Sequence, residues 1–223
     1  MSSDPFIEND ASESAFATLS VIEARILGCL IEKEATTPEV YPLTANAVVV
    51  ASNQKNNREP VMELELGEVG HALREMTDKR HVRVVDGSRA QRYEHRFAQY
   101  WSVTARQQAL LAVMLLRGPQ TLAELHTRSE RLGGTTDIDD IRLSLERLMQ
   151  RTPILVVNLG RGAGQREDRY MHLLCGPVSV SDFAAAANDA SAPSKRGGLE
   201  ARLEALEAEV DALRREVEAL RDR

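Results

Sequence analysis

Arg92-Tyr93-Glu94-His95 recurs as Arg169-Tyr170-Met171-His172, and the paired histidines are the residues best suited to exchange a proton near neutral pH. The repetition favours a different reading. A Tyr and a His at matching strand ends mark a duplicated structural unit, with the Arg and Tyr tying a hairpin to its helices. Two other stretches carry polar chemistry. Asn53-Gln54-Lys55-Asn56-Asn57-Arg58-Glu59-Pro60 concentrates amide and basic donors of the kinds that bond to adenine, guanine or phosphate; as Asn and Pro are turn formers, a plain loop is the alternative. Lys79, Arg80, Arg83, Arg89, Arg92 and Arg96 stand against Asp86 and Glu94, a local net of +4. Gly87-Ser88-Arg89 at the tip of that run would let backbone approach a phosphate or carry an arginine into a minor groove. The corresponding run of the second copy holds Arg151, Arg161, Arg166 and Arg169 against Glu167 and Asp168, a net of +2.

Catalytic signatures are missing. The chain has no H-E-x-x-H, no paired C-x-x-C, no Walker loop and no G-x-S-x-G. Gly160, Gly162 and Gly164 fall in a hairpin, where they cannot cradle phosphate at a helix start. His71, His81 and His126 are isolated. The expectation is a non-enzymatic protein that needs neither cofactor nor metal.

The elements that position these residues also repeat. Ser20 with Glu23, and Thr104 with Gln107, read as capping boxes that open apolar helices. Pro42-Leu43-Thr44 matches Pro119-Gln120-Thr121, and Thr121 with Glu124 forms a further capping box ahead of a short second helix. Val69, Leu73 and Met76 match Ile141, Leu145 and Leu148 on one face of a third helix. Val82 to Val85 and Ile154 to Val157 are β-branched strand signals, each leading through glycine to the strand of the repeated motif. Three helices and a hairpin, twice over, predict two tandem winged-helix domains at 19–100 and 101–176, mainly α with small β-hairpins. The third helices open on acids, Glu68 in one and Asp137, Asp139 and Asp140 in the other. These complement the helix dipole and would repel a phosphate backbone, so the second unit reads as a packing or partner-binding module.

Residues 1–18 are acidic and polar, without the regions of a signal peptide, and are expected to be disordered. No apolar run is long enough to cross a bilayer, and the expected location is cytoplasmic. Cys29 and Cys175 are expected as buried, reduced thiols. The formal net charge of −6 belongs to the chain ends: residues 20–176 hold 21 bases and 20 acids. Beyond residue 176 the composition turns to Ala, Ser and Gly, a flexible linker over 177–198. Leu199, Leu203, Leu206, Val210, Leu213, Val217 and Leu220 then follow a heptad seam over 199–223, with Val and Leu at a and Leu at d. Arg202 with Glu207, Glu209 with Arg214, and Glu216 with Arg221 are all opposite in sign between parallel partners, which predicts a parallel coiled-coil homodimer. A single amphipathic helix packed on the body is the alternative.

The segments 41–61 (YPLTANAVVVASNQKNNREPV), 88–97 (SRAQRYEHRF), 116–132 (LRGPQTLAELHTRSERL) and 169–174 (RYMHLL) resemble the YceH-like family of bacterial proteins. The resemblance covers about residues 18 to 176. It implies the tandem winged-helix fold and supplies no activity. The residues themselves suggest a nucleic-acid-binding protein, such as a transcriptional regulator, that contacts DNA through Asn53, Gln54, Lys55, Asn57, Arg58, Lys79, Arg80, Arg83, Arg89 and Arg92. A protein-interaction adaptor with a protein partner is the second reading, favoured by the neutral body and the acidic third helices.

Overall fold

In a computed structural model, which describes residues 18–87, 90–135, 137–162 and 165–178, both halves begin with the same local device. Ser20 Oγ accepts the Glu23 N–H at 3.2 Å while the Ser20 N–H reaches Glu23 Oε2 at 2.7 Å. Two donors that a helix start leaves orphaned are thereby satisfied, and α1 (Val21–Thr36) follows. Then come β1 (Leu43–Thr44), α2 (Ala45–Ser52), α3 (Leu66–Asp78), β2 (Val82–Asp86), β3 (Gln91–His95) and a short α4 (Phe97–Trp101). The second half repeats the order with α5 (Ala105–Arg117), β4 (Gln120–Thr121), α6 (Leu122–Ser129), α7 (Ile138–Gln150), β5 (Val156–Gly160) and β6 (Arg169–His172). The capping boxes of Thr104 with Gln107 and of Thr121 with Glu124 are both formed. The chain is thus mainly helical with two small antiparallel sheets.

Each sheet has three strands, ordered β1-β3-β2 and β4-β6-β5. The repeated motif forms the central strand of both, pairing Leu43 with Tyr93 and Val82 with His95 in one, and Gln120 with Tyr170 and Val156 with His172 in the other. The two-residue outer strands and α4 were not expected. Strand β5 starts at Val156 rather than Ile154, because Leu155 is tied both to the end of α7, through Leu148 O at 3.1 Å, and to Leu173 N at 2.8 Å.

All six apolar positions expected on the third helices are buried. The first helices differ from simple amphipathic ones. Every residue from Glu23 to Glu32 in α1 is buried, and so is every residue from Ala109 to Leu116 in α5. A helix buried on all sides lies inside a core rather than on its surface. Here α1 and α5 pack against each other, and one continuous core includes Leu27, Leu30, Val69 and Trp101 with Leu110, Leu111, Ile141 and Leu148. Gly28 makes the approach possible: a Cβ there would lie 2.8 Å from Leu116 Cγ and 3.2 Å from Leu115 Cβ. The end of the second half also returns to the start of the first, where the Leu19 N–H donates to Leu174 O at 2.8 Å.

Of the start expected to be disordered, 1–18, all but Thr18 lies outside the described residues, as do the remainder of the linker from 179 and the heptad residues Leu199 to Leu220.

A shared core should unfold as one unit, so urea denaturation of the body is expected to show a single transition. Gly28→Val should lower its stability by about 1–3 kcal/mol through overpacking. Gly70→Ala, on α3 with open space around the position of a Cβ, should raise it by about 0.5–1 kcal/mol.

Candidate nucleic-acid interface

The run expected to read bases turns inward. Asn53 closes α2, and its side chain bonds in both directions to one residue: Nδ2 donates to Leu64 O and Oδ1 accepts the Leu64 N–H, each at 2.8 Å. Arg58 is buried, with none of its side chain exposed. Its Nε donates to Ala51 O at 3.0 Å, and one guanidinium nitrogen donates to Asn57 O at 2.8 Å and Glu32 Oε1 at 3.3 Å. The other donates to Glu32 Oε2 at 2.6 Å and Gln54 Oε1 at 3.1 Å. Asn57 takes the left-handed conformation, φ 62°, and its Oδ1 accepts a hydrogen bond from Arg117 of α5. The Glu59 N–H donates to Leu116 O at 2.8 Å and so covers a carbonyl at the end of α5.

These contacts correct the expectation for Asn53, Asn57 and Arg58. Asn57 and Glu59 thereby reach α5 of the second half, and the Arg58 guanidinium, held in this way, has no donor to spare for an exposed phosphate. Gln54 supports Arg58, and Lys55 is the exposed basic residue of the run. The signal available in the sequence was Arg25, the one charge between Ala24 and Ile31 of α1, with Glu32 directly after that apolar stretch. Arg25 donates to Ser52 O at 3.2 Å and Pro60 O at 2.6 Å, while Glu32 receives Arg58 and also Arg131 at 3.1 Å.

Electrostatics matches this geometry. Burial pushes the Glu32 carboxyl up, but hydrogen bonds and charge from Arg58, with Lys33 and Arg131, outweigh it and hold the group below its usual range. Burial likewise opposes the Arg58 charge, and Glu32 more than compensates. Burial raises the Cys29 thiol, which sits 3.8 Å from Ser52 Oγ, as expected for an inert core cysteine. Cys175, also expected to be buried, is exposed; Leu174 beside it takes the inward place in the turn after β6.

The basic hairpin of the first half is partly committed as well. Lys79 pairs with the buried Glu23 at 2.8 Å, and Arg92 donates to Pro42 O at 2.7 Å and Val40 O at 3.3 Å. Arg83 meets Glu94 at 2.6 Å but is 62% exposed, a surface pair that water or a phosphate can replace at little cost. Arg80 is exposed. Arg89 lies outside the described residues.

The repeated motif resolves into one shared role and one that differs. Arg169 donates to Pro119 O at 3.0 Å, the counterpart of Arg92 on Pro42 O, so in both halves the arginine ties the central strand to the segment leading into the second helix. The histidines diverge. His95 Nε2 lies 2.8 Å from Glu34 Oε2, while its Nδ1 accepts the Phe97 N–H at 3.2 Å. Its counterpart His172 is buried, and desolvation brings its pKa down to about 4. His81 is buried too, with its ring 4.3 Å from that of Tyr100 and 4.9 Å from that of Trp101.

In the second half, Asp137 Oδ1 accepts the Asp139 N–H at 2.9 Å at the start of α7, and Asp139 pairs with Arg142 at 3.0 Å. Arg106 and Asp140 pair at 2.7 Å. Both line an open depression of about 490 Å³ with Leu143, Ser144 and Arg147. Among the described residues, no group of three or more His, Cys, Asp or Glu side chains is placed to hold a metal ion, and no helix is long and apolar enough to cross a membrane.

A duplicated three-helix and three-stranded unit, joined by an apolar helix pair and by the reach of Arg131 to the buried Glu32, is the class of protein these features define. The family described as "Protein of unknown function, DUF480" matches residues 19–165, and the chain belongs to that family. It is 55% identical over 186 residues to UPF0502 protein mll4256 of Mesorhizobium japonicum, covering 83% of this chain and 88% of the relative. It is 54% identical over 190 residues to UPF0502 protein xcc-b100_4348 of Xanthomonas campestris pv. campestris, covering 83% and 84%. With UPF0502 protein Smlt0097 of Stenotrophomonas maltophilia the identity is 52% over 188 residues, covering 83% and 86%.

His172 gives a pH test. Its pKa falls from 6.5 to about 4 on folding, so between those values the unfolded chain takes up a proton that the folded one refuses. Stability from this group is complete above pH 6.5 and is lost as the pH falls toward 4, by on the order of 3 kcal/mol. Urea titrations across that window should show the loss, and His172→Gln should reduce the slope.

Proposed function

We propose that the protein is a cytoplasmic, non-enzymatic nucleic-acid-binding protein whose two halves are winged helices. In this reading it dimerises through the heptad at 199–223 and meets DNA with the base of the hairpin in its first half. The supporting observation is Arg80. It follows the last turn of α3 in the left-handed conformation, φ 62°, with its N–H on Thr77 O at 3.0 Å and the His81 N–H on Met76 O at 2.8 Å. Glycine is the usual occupant of this helix-ending position, and a side chain there costs about 1 kcal/mol.

An exposed arginine kept at such a position fits a role outside the fold. It has company at that corner: the Arg96 N–H donates to His81 O at 2.8 Å, Arg96 is exposed, and Arg83 is two residues beyond His81. Of the acids of α3, Glu68 accepts the Glu65 N–H at 2.8 Å and Glu75 lies 3.9 Å from the Lys79 ammonium, which weakens the repulsion expected of that helix. The adaptor reading draws on the second half, where Ile138 and Leu143 of α7 are 42% and 44% exposed beside Asp139 and Asp140.

Fluorescence anisotropy with a mixed-sequence duplex tests the proposal. Wild-type protein should bind at about 10⁻⁴ to 10⁻⁶ M, with a log–log salt slope of about −0.9 per phosphate neutralised. Arg80→Gly should stabilise the fold by about 1 kcal/mol while weakening DNA binding and lowering the slope by about one. An absent salt-dependent signal, or unchanged affinity in Arg80→Gly, would count against it. Recovery of one stoichiometric protein partner insensitive to nuclease would favour the adaptor.

A further inference from the structure

We propose that the joint between the two halves is a binding site for a phosphate-bearing anion. The proposal is independent of DNA binding by the hairpin. It starts from the polar chain that crosses the joint. Glu32 holds Arg58, Arg131 and, at 3.6 Å, Lys33. Arg58 donates to the backbone carbonyl of Asn57, and the side chain of that residue accepts from Arg117. Gln120 Nε2 donates to Arg117 O at 3.3 Å, and Gln120 Oε1 accepts from Arg128. Glu124 then pairs with Arg128 at 3.2 Å and Arg169 at 3.0 Å.

This connected set holds six cations, Lys33, Arg58, Arg117, Arg128, Arg131 and Arg169, and two carboxylates. The surplus is four positive charges, assembled in space from residues up to 136 positions apart in the chain (169 less 33). Part of the surplus has a structural explanation. Lys33, Arg117 and Arg128 lie in the last turns of α1, α5 and α6, where each helix end presents about half a negative charge. Three such ends offset about one and a half charges and leave more than two uncompensated.

Arg117 is where the surplus concentrates. Its side chain donates to the neutral Asn57 amide, and no carboxylate pairs with it among the described residues. Burial, together with the charges of Arg128 and Arg131, lowers its pKa. Arg131, 47% exposed, enters the same network through Glu32. Planar guanidinium groups bind phosphate oxygens through paired N–H donors, and an anion placed between Arg117, Arg128 and Arg131 would relieve their mutual repulsion. The same chemistry could come from phosphates along a nucleic acid or from a free oligophosphate group on a small molecule.

The test uses the full-length protein, with sodium tripolyphosphate as the probe and sodium chloride added to hold ionic strength constant. Thermal unfolding should shift upward and saturate with tripolyphosphate. Arg117→Gln and Arg131→Gln should each weaken its apparent affinity by about tenfold or more, whereas Arg80→Gly and Arg83→Gln should leave it unchanged. Should Arg117→Gln fail to fold, the exposed Arg131 carries the comparison. Displacement of a labelled mixed-sequence duplex by tripolyphosphate, with weaker duplex binding by Arg131→Gln, would assign the site to nucleic-acid phosphates. Simultaneous binding of both would assign it to a free anion. A shift reproduced by chloride at the same ionic strength, or full affinity in Arg131→Gln, would overturn the proposal.

Discussion

The Glu32 carboxylate lies inside the protein on α1 and accepts hydrogen bonds from Arg58, in the loop of the first half, and Arg131, beyond α6 in the second. Removing one partner of a buried ion pair typically costs about 3–5 kcal/mol, because the charge left behind is neither solvated nor matched. Much else follows from satisfying this one acid. Arg58 must fold back to reach it, which fixes the path of residues 53–60; that path then delivers Glu59 to the end of α5 and Asn57 to Arg117. The same helix pair closes through Gly28 against Leu116. The polar joint and the apolar contact of α1 with α5 therefore specify the same arrangement of the halves.

This constraint redistributes the residues available for function. A loop rich in amides and arginine resembles a base-reading surface, but here those groups are used to hold the protein together. What is left for an outside ligand lies in two places. One is the hairpin base around Arg80, Arg83 and Arg96; the other is the outer side of the joint, where more cations gather than the fold can neutralise. The two differ in origin. The hairpin cations are neighbours in sequence, whereas those of the joint meet only through folding.

Local and periodic features were readable from the chain. Capping boxes at Ser20, Thr104 and Thr121, the apolar faces of α3 and α7 and the central strands carrying the repeated motif all depend on residues within a few positions of one another. The inward turn of Arg58 was not readable, since its acid lies 26 positions earlier and that acid's second partner 99 positions later. Nor was the divergence of His95 and His172. Their motif positions match, but Glu34 meets one ring, whereas the other is enclosed by the second half. The outer strands β1 and β4, each of two residues, are too short for any alternation to register. For the candidate site, the exposure of Arg80, Arg83 and Lys55 agrees with their reading as surface cations, whereas the internal bonds of Asn53, Asn57 and Arg58 were not readable, because residue type alone does not distinguish a donor facing solvent from one facing an internal acceptor.

Native-state hydrogen exchange on wild type and Arg58→Gln tests most directly whether the polar cluster built around Glu32 and Arg58 unites the halves. Amides of α1 and α5 should share one opening free energy in the wild type, and in the variant both should lose protection together by a similar amount. Loss confined to α1, α2 and α3, with α5, α6 and α7 keeping their wild-type protection, would contradict the account.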